Sequence, residues 1–316
     1  MAATKKLVLS YNICFEAMTN SHHGASIGLE CTYLDPIKRD ITFCGVNIAN
    51  MIDKVPKSMH YTNFDFVGLQ EASKCDELIK YASNTIGVAS MGMVLSSAKG
   101  SSTVVDSNVI KYVGASMASF YDKSKYVLID NRCSQFSNRD QTRPFHILLL
   151  KEIATNDELI FINVHTPHGG NENLNYPGHY YSSFEAVEFD LSAEAKYLTT
   201  FDATKNYRII MTGDFNETGW DWSTNNMKTK TWSPLKSAGI MTNVSIAKFV
   251  FSCSKDNGDW EKANGQRGGD YIFDSYAAAA INYPSIYNFF APGTFNNPAD
   301  KKTHLQSDHL PVVAEL

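Results

Sequence analysis

Five polar clusters occur in a fixed order along the chain, each where an apolar run ends: Asn12, Glu71, His165, Asp214 with Asn216, and Ser307-Asp308-His309. Carboxylates, amides and imidazoles are the groups that cleavage of a phosphate ester needs. They can hold a hard cation, activate a water and neutralise charge on the phosphate oxygens. Magnesium keeps much of its own water, so one or two carboxylates suffice, and Glu71 is the first candidate ligand. Taken alone, Glu71 reads better as a surface cap on the helix after it, where the dipole favours an anion. Asp214 and Asn216 lie two apart beyond a strand, so with Phe215 turned away they share one face. A carboxylate there can deprotonate water while the amide donates to a non-bridging oxygen; a purely structural Gly-Asp turn gives the same spacing. Asp308 and His309 are adjacent and cannot form a triad with each other. Asp308 suits a metal, and His309 suits the phosphate if a distant carboxylate orients its ring. Asp270, in Arg267-Gly268-Gly269-Asp270-Tyr271, is the candidate for that orienting role. An imidazole at His165 can stabilise the charge of a pentacoordinate transition state. A zinc pair with His168 is the alternative, but no further Cys or His falls nearby at ligand spacing. Each motif is weak by itself; the weight lies in all five together.

Elements must bring these residues to one place. Residues 6–13 alternate as a strand that ends at Asn12. Residues 44–56 have helical spacing and lead into a buried strand, Phe64 to Gln70, with Glu71 at its polar end. A helix is expected from Ala72 to about Ile86. Further strands are expected at 115–121, 126–129, 145–153, 159–164, 207–212, 270–273 and 311–316. An amphipathic surface helix is expected over 184–203. Strands interleaved with helices, with polar residues at successive strand ends, indicate a layered α/β sandwich whose loops gather the motifs at one edge.

At 316 residues and 43% hydrophobic, the chain can bury a large core. Its motifs span 12–309 with no linker or repeat between them, so 1–316 is read as one domain. A formal net charge of -5 argues against a generally basic nucleic-acid coat. It leaves room for a polyanionic substrate, because local patches and bound cations set the field at a site. Lys99, Lys111, Lys123, Lys125, Arg139 and Arg143 are candidates for a phosphate track, with a dispersed solvated face as the alternative. Trp220 and Trp222 are candidates to stack on a base or ring, against an ordinary packing role. Six cysteines lack a CxxC pair or zinc spacing, which predicts buried free thiols in a reducing compartment. The short N-terminal apolar run reads as a strand, not a signal peptide. With no membrane span, a soluble intracellular protein is expected.

The stretches Ser10-Tyr11-Asn12-Ile13, Gly68-Leu69-Gln70-Glu71, Asn163-Val164-His165, Gly213-Asp214-Phe215-Asn216, Gly269-Asp270-Tyr271 and Ser307-Asp308-His309 resemble the endonuclease/exonuclease/phosphatase superfamily, the deoxyribonuclease I-like proteins. Arg143-Pro144-Phe145 and Phe120-Tyr121-Asp122-Lys123 resemble it too. The resemblance spans nearly the whole chain in the family's order. It implies an α/β four-layer sandwich of two facing mixed β-sheets flanked by helices, with a divalent-metal hydrolytic site at one edge. By that similarity Asn12, Glu71 and Asp308 would hold Mg2+ or Mn2+, Asp214 would activate water, and Asn216 would position it or the phosphate. His309, paired to Asp270, and His165 would hold the scissile phosphate; Arg143, Trp220 and Trp222 are candidates for substrate contact on their residue types, not on the resemblance. One departure is Cys14, where several nucleases of the family carry an aspartate; a thiol is a poor magnesium ligand, which counts against a second metal there. The leading expectation is a metal-dependent phosphodiesterase, a nuclease acting on DNA or RNA. The alternatives are hydrolysis of a small or lipid phosphoester and a non-catalytic module that keeps the fold.

Overall fold

The computed structural model describes residues 5–19, 31–97, 102–105, 115–137, 142–165, 202, 205, 207–214, 220–221, 226–227, 270–274, 309 and 311–316. Their elements, in chain order, are β1 (Leu7–Asn12), α1 (Phe15–Thr19), α2 (Phe43–Ser58), β2 (Phe66–Gln70), α3 (Cys75–Tyr81), β3 (Met91–Ser97), β4 (Ser102–Val105) and β5 (Ala115–Asp122). There follow β6 (Tyr126–Ser137), β7 (Thr142–Glu152), β8 (Glu158–His165), β9 (Arg208–Asp214), β10 (Trp220–Asp221), β11 (Asn226–Met227), β12 (Asp270–Asp274) and β13 (Val312–Glu315).

Two mixed sheets form a sandwich. One has six strands in the order β13-β1-β2-β5-β3-β4, the other five in the order β12-β9-β8-β7-β6, and β10 and β11 make a separate two-stranded ribbon. Each large sheet contains one parallel pair, β1–β2 in the first and β8–β9 in the second; every other pairing is antiparallel. The pairs face each other across the sandwich, β1 lying against β9 and β12, and β2 against β8 and β9.

Side chains of a strand alternate between its two faces. From β1, Leu7, Leu9 and Tyr11 point outward and pack on Ile48, Ile52 and Val55 of α2. That spacing of i, i+4 and i+7 is the apolar stripe the sequence predicts for this helix. Thr42 caps it, its hydroxyl accepting from the Gly45 N–H. The alternate residue Val8 points inward and meets Phe66, Phe161, Ile210 and Ile272 in the core between the sheets. There the Phe66 and Phe161 rings stack with centroids 5.0 Å apart. The predicted helix over 184–203, which would cover the other sheet's outer face, lies outside the described residues.

The expected strands are present, with differences at their ends. The helix expected to begin at Ala72 begins at Cys75 instead, because Glu71 and Lys74 both take left-handed backbone conformations, with φ of 52° and 57°. It ends at Tyr81, short of Ile86. Strands β3 and β4 are additional to the sequence reading. The cysteine expectation is corrected as well. Cys31 and Cys44 form a disulfide, while Cys14, Cys75 and Cys133 are free; Cys253 lies outside the described residues. Tyr33 and Thr42 pair as an antiparallel bridge, and the hairpin they close brings Cys31 and Cys44 to a Cα separation of 5.4 Å. No helix among the described residues is long and apolar enough to cross a membrane.

A fully buried histidine sits between the sheets. His146 Nδ1 lies 2.8 Å from Ser119 Oγ, and its Nε2 lies 2.6 Å from Ser96 Oγ. Burial lowers the imidazole from its ordinary 6.5 to about 3, so the folded protein keeps it neutral. The unfolded chain takes up a proton there below pH 6.5, so this contribution to stability is complete above that pH and is lost as pH falls toward 3. Urea midpoints measured from pH 7 to pH 4 are expected to fall with pH in the wild type and to fall less steeply in His146→Gln. Parallel curves for the two proteins would show that His146 is not the titrating group.

Candidate functional site

Strand direction explains why the motifs converge. In a parallel pair both C-terminal ends reach the same edge. The β1–β2 register places Asn12 beside Gln70, the residue before Glu71, and the β8–β9 register places His165 directly beside Asp214. The antiparallel strand β12 brings its first residue, Asp270, opposite Asp214. His309 precedes β13, which runs antiparallel to β1 and so starts where β1 ends.

The side chains form one continuous chain in which carboxylates alternate with imidazoles and end at a guanidinium. Asp270 Oδ2 is 2.9 Å from His309 Nδ1, and His309 Nε2 is 3.8 Å from Asp214 Oδ2. The same Asp214 oxygen accepts from Asn12 Nδ2 at 2.9 Å and lies 3.6 Å from His165 Nε2. His165 Nε2 is in turn 3.9 Å from Glu71 Oε1, and Arg143 Nη1 is 3.9 Å from that oxygen on the other side. The order is therefore carboxylate, imidazole, carboxylate, imidazole, carboxylate, guanidinium. Asp270, Asp214, His165 and Asn12 are at most 2% exposed, and His309 is 8% exposed.

Local backbone supports the two oxygen donors from the first sheet. Cys14 and Glu71 both exit their strands at positive φ, 61° and 52°. The turn after Asn12 lets the Cys14 N–H donate to Asn12 Oδ1 at 3.0 Å, and the Phe15 N–H donates to Glu71 Oε2 at 2.9 Å. Cys14 itself is buried in the helix-side core, in line with its poor suitability as a magnesium ligand.

Oxygen donors dominate the set around Glu71, Asn12 and Asp214, and such donors fit a hard divalent cation. Ligand atoms of Asp214, Asp270 and His309 also lie within 4.8 Å of one another. Asp270 Oδ2 and His309 Nδ1 already share a 2.9 Å hydrogen bond, which suits the trio to proton handling. Arg143 Nε is buried, with no hydrogen-bond acceptor among the described residues. An anion would supply one.

Seven of the eleven predicted site residues are thus seen in one place: Asn12, Glu71, Arg143, His165, Asp214, Asp270 and His309. Asn216, Asp308 and Trp222 lie outside the described residues, as does the side chain of Trp220. The proposed basic track is corrected in part. Lys125 pairs with Asp65 at 3.0 Å, and Lys123 donates to the Val88 carbonyl at 2.6 Å. Both follow β5, whose antiparallel pairing to β2 puts them at the sheet end opposite Glu71. Lys99, Lys111 and Arg139 lie outside the described residues. The sequence reading overlooks a buried polar layer beneath the site, Ser10, Asn163 and Thr212, each two residues before a site residue on an otherwise apolar strand. That interruption of an apolar face is the signal that marks them.

The sequence matches no family model and no curated protein. Solved structures do match over nearly the full length. The endonuclease/exonuclease/phosphatase from Bacteroides vulgatus aligns with a TM-score of 0.57 and 15% identity, covering 99% of this chain and 98% of that one. The mannosyl-6-phosphatase of Bacteroides thetaiotaomicron aligns with a TM-score of 0.55 and 16% identity, covering 98% of each chain. The D. rerio TDP2 structure, complexed with a single strand DNA product, aligns with a TM-score of 0.52 and 13% identity over 99% of this chain and 98% of that one. The facing sheets, the edge at which the motifs meet and these neighbours agree: the chain has the deoxyribonuclease I-like fold of the endonuclease/exonuclease/phosphatase superfamily.

Proposed function

We propose that the protein is a divalent-metal-dependent phosphodiesterase, a nuclease that cleaves DNA or RNA by in-line attack of an activated water. The observation that carries this reading is the alternation of three carboxylates with two imidazoles and a guanidinium along one sheet edge, buried from Asp270 to His165 and partly exposed at Glu71 and Arg143. Neighbours of the same fold include a sugar phosphatase and a protein bound to a DNA product. The choice of substrate therefore rests on this chain's own residues.

Glu71, with Asn12 and Asp308, would hold Mg2+ or Mn2+, which when bound polarises a phosphate oxygen and offsets its charge. Asp214 takes the proton of the attacking water. Asn12, donating to its Oδ2, holds that carboxylate in orientation. Asp270 keeps the His309 ring turned so that Nε2 faces the Asp214 side, where it can donate to a non-bridging oxygen. His165 stands between Glu71 and Asp214 and meets charge as it builds in the transition state. Asn216 positions the water or the phosphate, and Arg143 takes a phosphate oxygen in the fork of its guanidinium. Phe15, a 41% exposed aromatic residue whose backbone N–H is bonded to Glu71, is a candidate to stack on a base and favours a nucleotide over a compact phosphoester. Trp220 and Trp222 are further stacking candidates.

Purified protein offered plasmid, single-stranded DNA, RNA and bis-p-nitrophenyl phosphate is expected to cut nucleic acid, to stop in EDTA and to recover with added Mg2+ or Mn2+. Asp214→Asn should lower kcat by about 10²-fold or more, as loss of a general base does. Turnover of small esters alone would make it a small-molecule phosphoesterase, and silence on every substrate would remove the hydrolase reading.

Arg143→Ala should raise KM by roughly 10- to 100-fold, the worth of a charge-assisted hydrogen bond, with a smaller fall in kcat. Arg143→Lys is expected to restore little of it, because a point charge lacks the planar fork. An unchanged KM in steady-state assays would take Arg143 out of substrate binding.

A further inference from the structure

Between the apolar core and the site lies a buried layer of polar side chains, with Asn163 at its centre. Asn163 is fully buried on β8. Its Oδ1 accepts from Gln70 Nε2 at 2.7 Å and from Thr212 Oγ1 at 3.2 Å. Its Nδ2 donates to the Ala118 carbonyl at 3.0 Å and to the Leu69 carbonyl at 3.4 Å. Two lone pairs and two N–H groups are the full capacity of a primary amide, and all four are used. The contacts reach β2 and β5 across the sandwich and β9 within the same sheet. Gly68 of β2 makes room for them, since a Cβ there would collide with Thr212 Oγ1 and the Asn163 amide.

These strands are the ones that deliver the reacting groups. Glu71 follows Gln70 directly, Asp214 comes two residues after Thr212, and His165 two residues after Asn163. Another buried hub in the same layer, His146, bonds Ser96 and Ser119 on β3 and β5, neither of which carries a site residue. An apolar side chain at 163 would fill the space and leave the spacing between the strand ends to packing, which is less directional than hydrogen bonds.

We propose that Asn163 is a positioning residue: its amide ties the strands bearing Glu71 and Asp214 to the strand bearing His165, and so sets the separation of the metal-binding carboxylate from the one that activates water. The proposal rests on the phosphodiesterase reading of the site. Asn163→Ala is expected to lower kcat and to weaken Mn2+ binding, read directly by calorimetry, each by about 10- to 100-fold, as loss of a residue supporting metal ligands does. KM should stay within about twofold, since the substrate contacts at Arg143 are not on these strands.

Phe161→Leu supplies the comparison, because Phe161 lies on the same strand and the same face but one layer deeper, in the apolar core. It should lower the melting temperature while leaving kcat and Mn2+ affinity unchanged. Should Asn163→Ala fail to fold, Thr212→Val removes the hydroxyl that β9 donates to Asn163 and, more weakly, to the Ile162 carbonyl, and should move kcat and Mn2+ affinity in the same direction by a smaller factor. An active wild type in which Asn163→Ala, or Thr212→Val in its place, behaves like Phe161→Leu, or changes KM alone, overturns the role of Asn163. A wild type that cleaves no phosphoester and binds no Mn2+ overturns the reading of the site instead.

Discussion

Register between paired strands is the constraint on which the site depends. Along β1 the inward residues run Val8, Ser10, Asn12; along β8 they run Phe161, Asn163, His165; along β9 they run Ile210, Thr212, Asp214. Each strand thus passes from apolar to neutral polar to chemically active in steps of two, and the rows match across the sandwich because the parallel pairs end together. A slip of one residue would turn Asn12 or Asp214 to the opposite face and send its apolar neighbours into the site. The core that stabilises the fold and the edge that would do chemistry are therefore consecutive rows of one lattice.

Three carboxylates in so small a volume would repel one another and lose solvation if left alone. The arrangement meets that cost by alternation. Asp270 is set against His309, Asp214 against Asn12 with an imidazole on either side, and Glu71 against Arg143 and the Phe15 N–H. Distances of 3.6 to 3.9 Å between several of these members exceed ordinary hydrogen bonds. The groups balance one another's charge without saturating one another, which suits a site that must also meet a phosphate. Among these carboxylate–imidazole and carboxylate–guanidinium pairs the short one is Asp270 to His309, at 2.9 Å, and it serves orientation rather than reactivity.

Much of this was legible in the sequence because each site residue interrupts an apolar strand, and polar residues at such places stand out. The order of the motifs supplied the architecture that their spacing could not. Where the reading fell short, the causes are tertiary. Met91-Gly92-Met93-Val94-Leu95 has little β-branched content, and β3 forms because the long strand β5 offers it an edge to pair with. The helix after Glu71 starts late because two non-glycine residues adopt left-handed conformations that no propensity predicts. The Cys31–Cys44 pair depends on the hairpin that closes between them, which a count of cysteines does not reveal. Asn163 lay inside a recognised motif, yet its partners Gln70 and Thr212 come from strands far away in sequence, so its role becomes visible only when the sheets are assembled.

The two ends of the sandwich treat charge in opposite ways, and the contrast bears on where a ligand binds. At the end away from the site, Lys6 Nζ bonds the Tyr126 hydroxyl at 2.8 Å and Glu152 at 2.9 Å, Tyr126 donates to Asp65 at 3.0 Å, and Arg208 grips Asp274 with both arms of its fork. Burial and the carboxylates of Asp65 and Glu152 push the Tyr126 phenol up, so it stays protonated and serves as the bridging donor. Charges at that end are met by partners in direct contact. At the site end Asp214 and Glu71 lie 3.6 to 3.9 Å from the facing nitrogens of His165, His309 and Arg143, and Arg143 Nε has no acceptor among the described residues. A buried donor without an acceptor costs free energy, and an anionic ligand would recover it. An anion arriving at this edge would bridge Arg143 and the imidazoles while leaving the carboxylates to a cation and a water, and that division of labour is what hydrolysis of a phosphodiester demands.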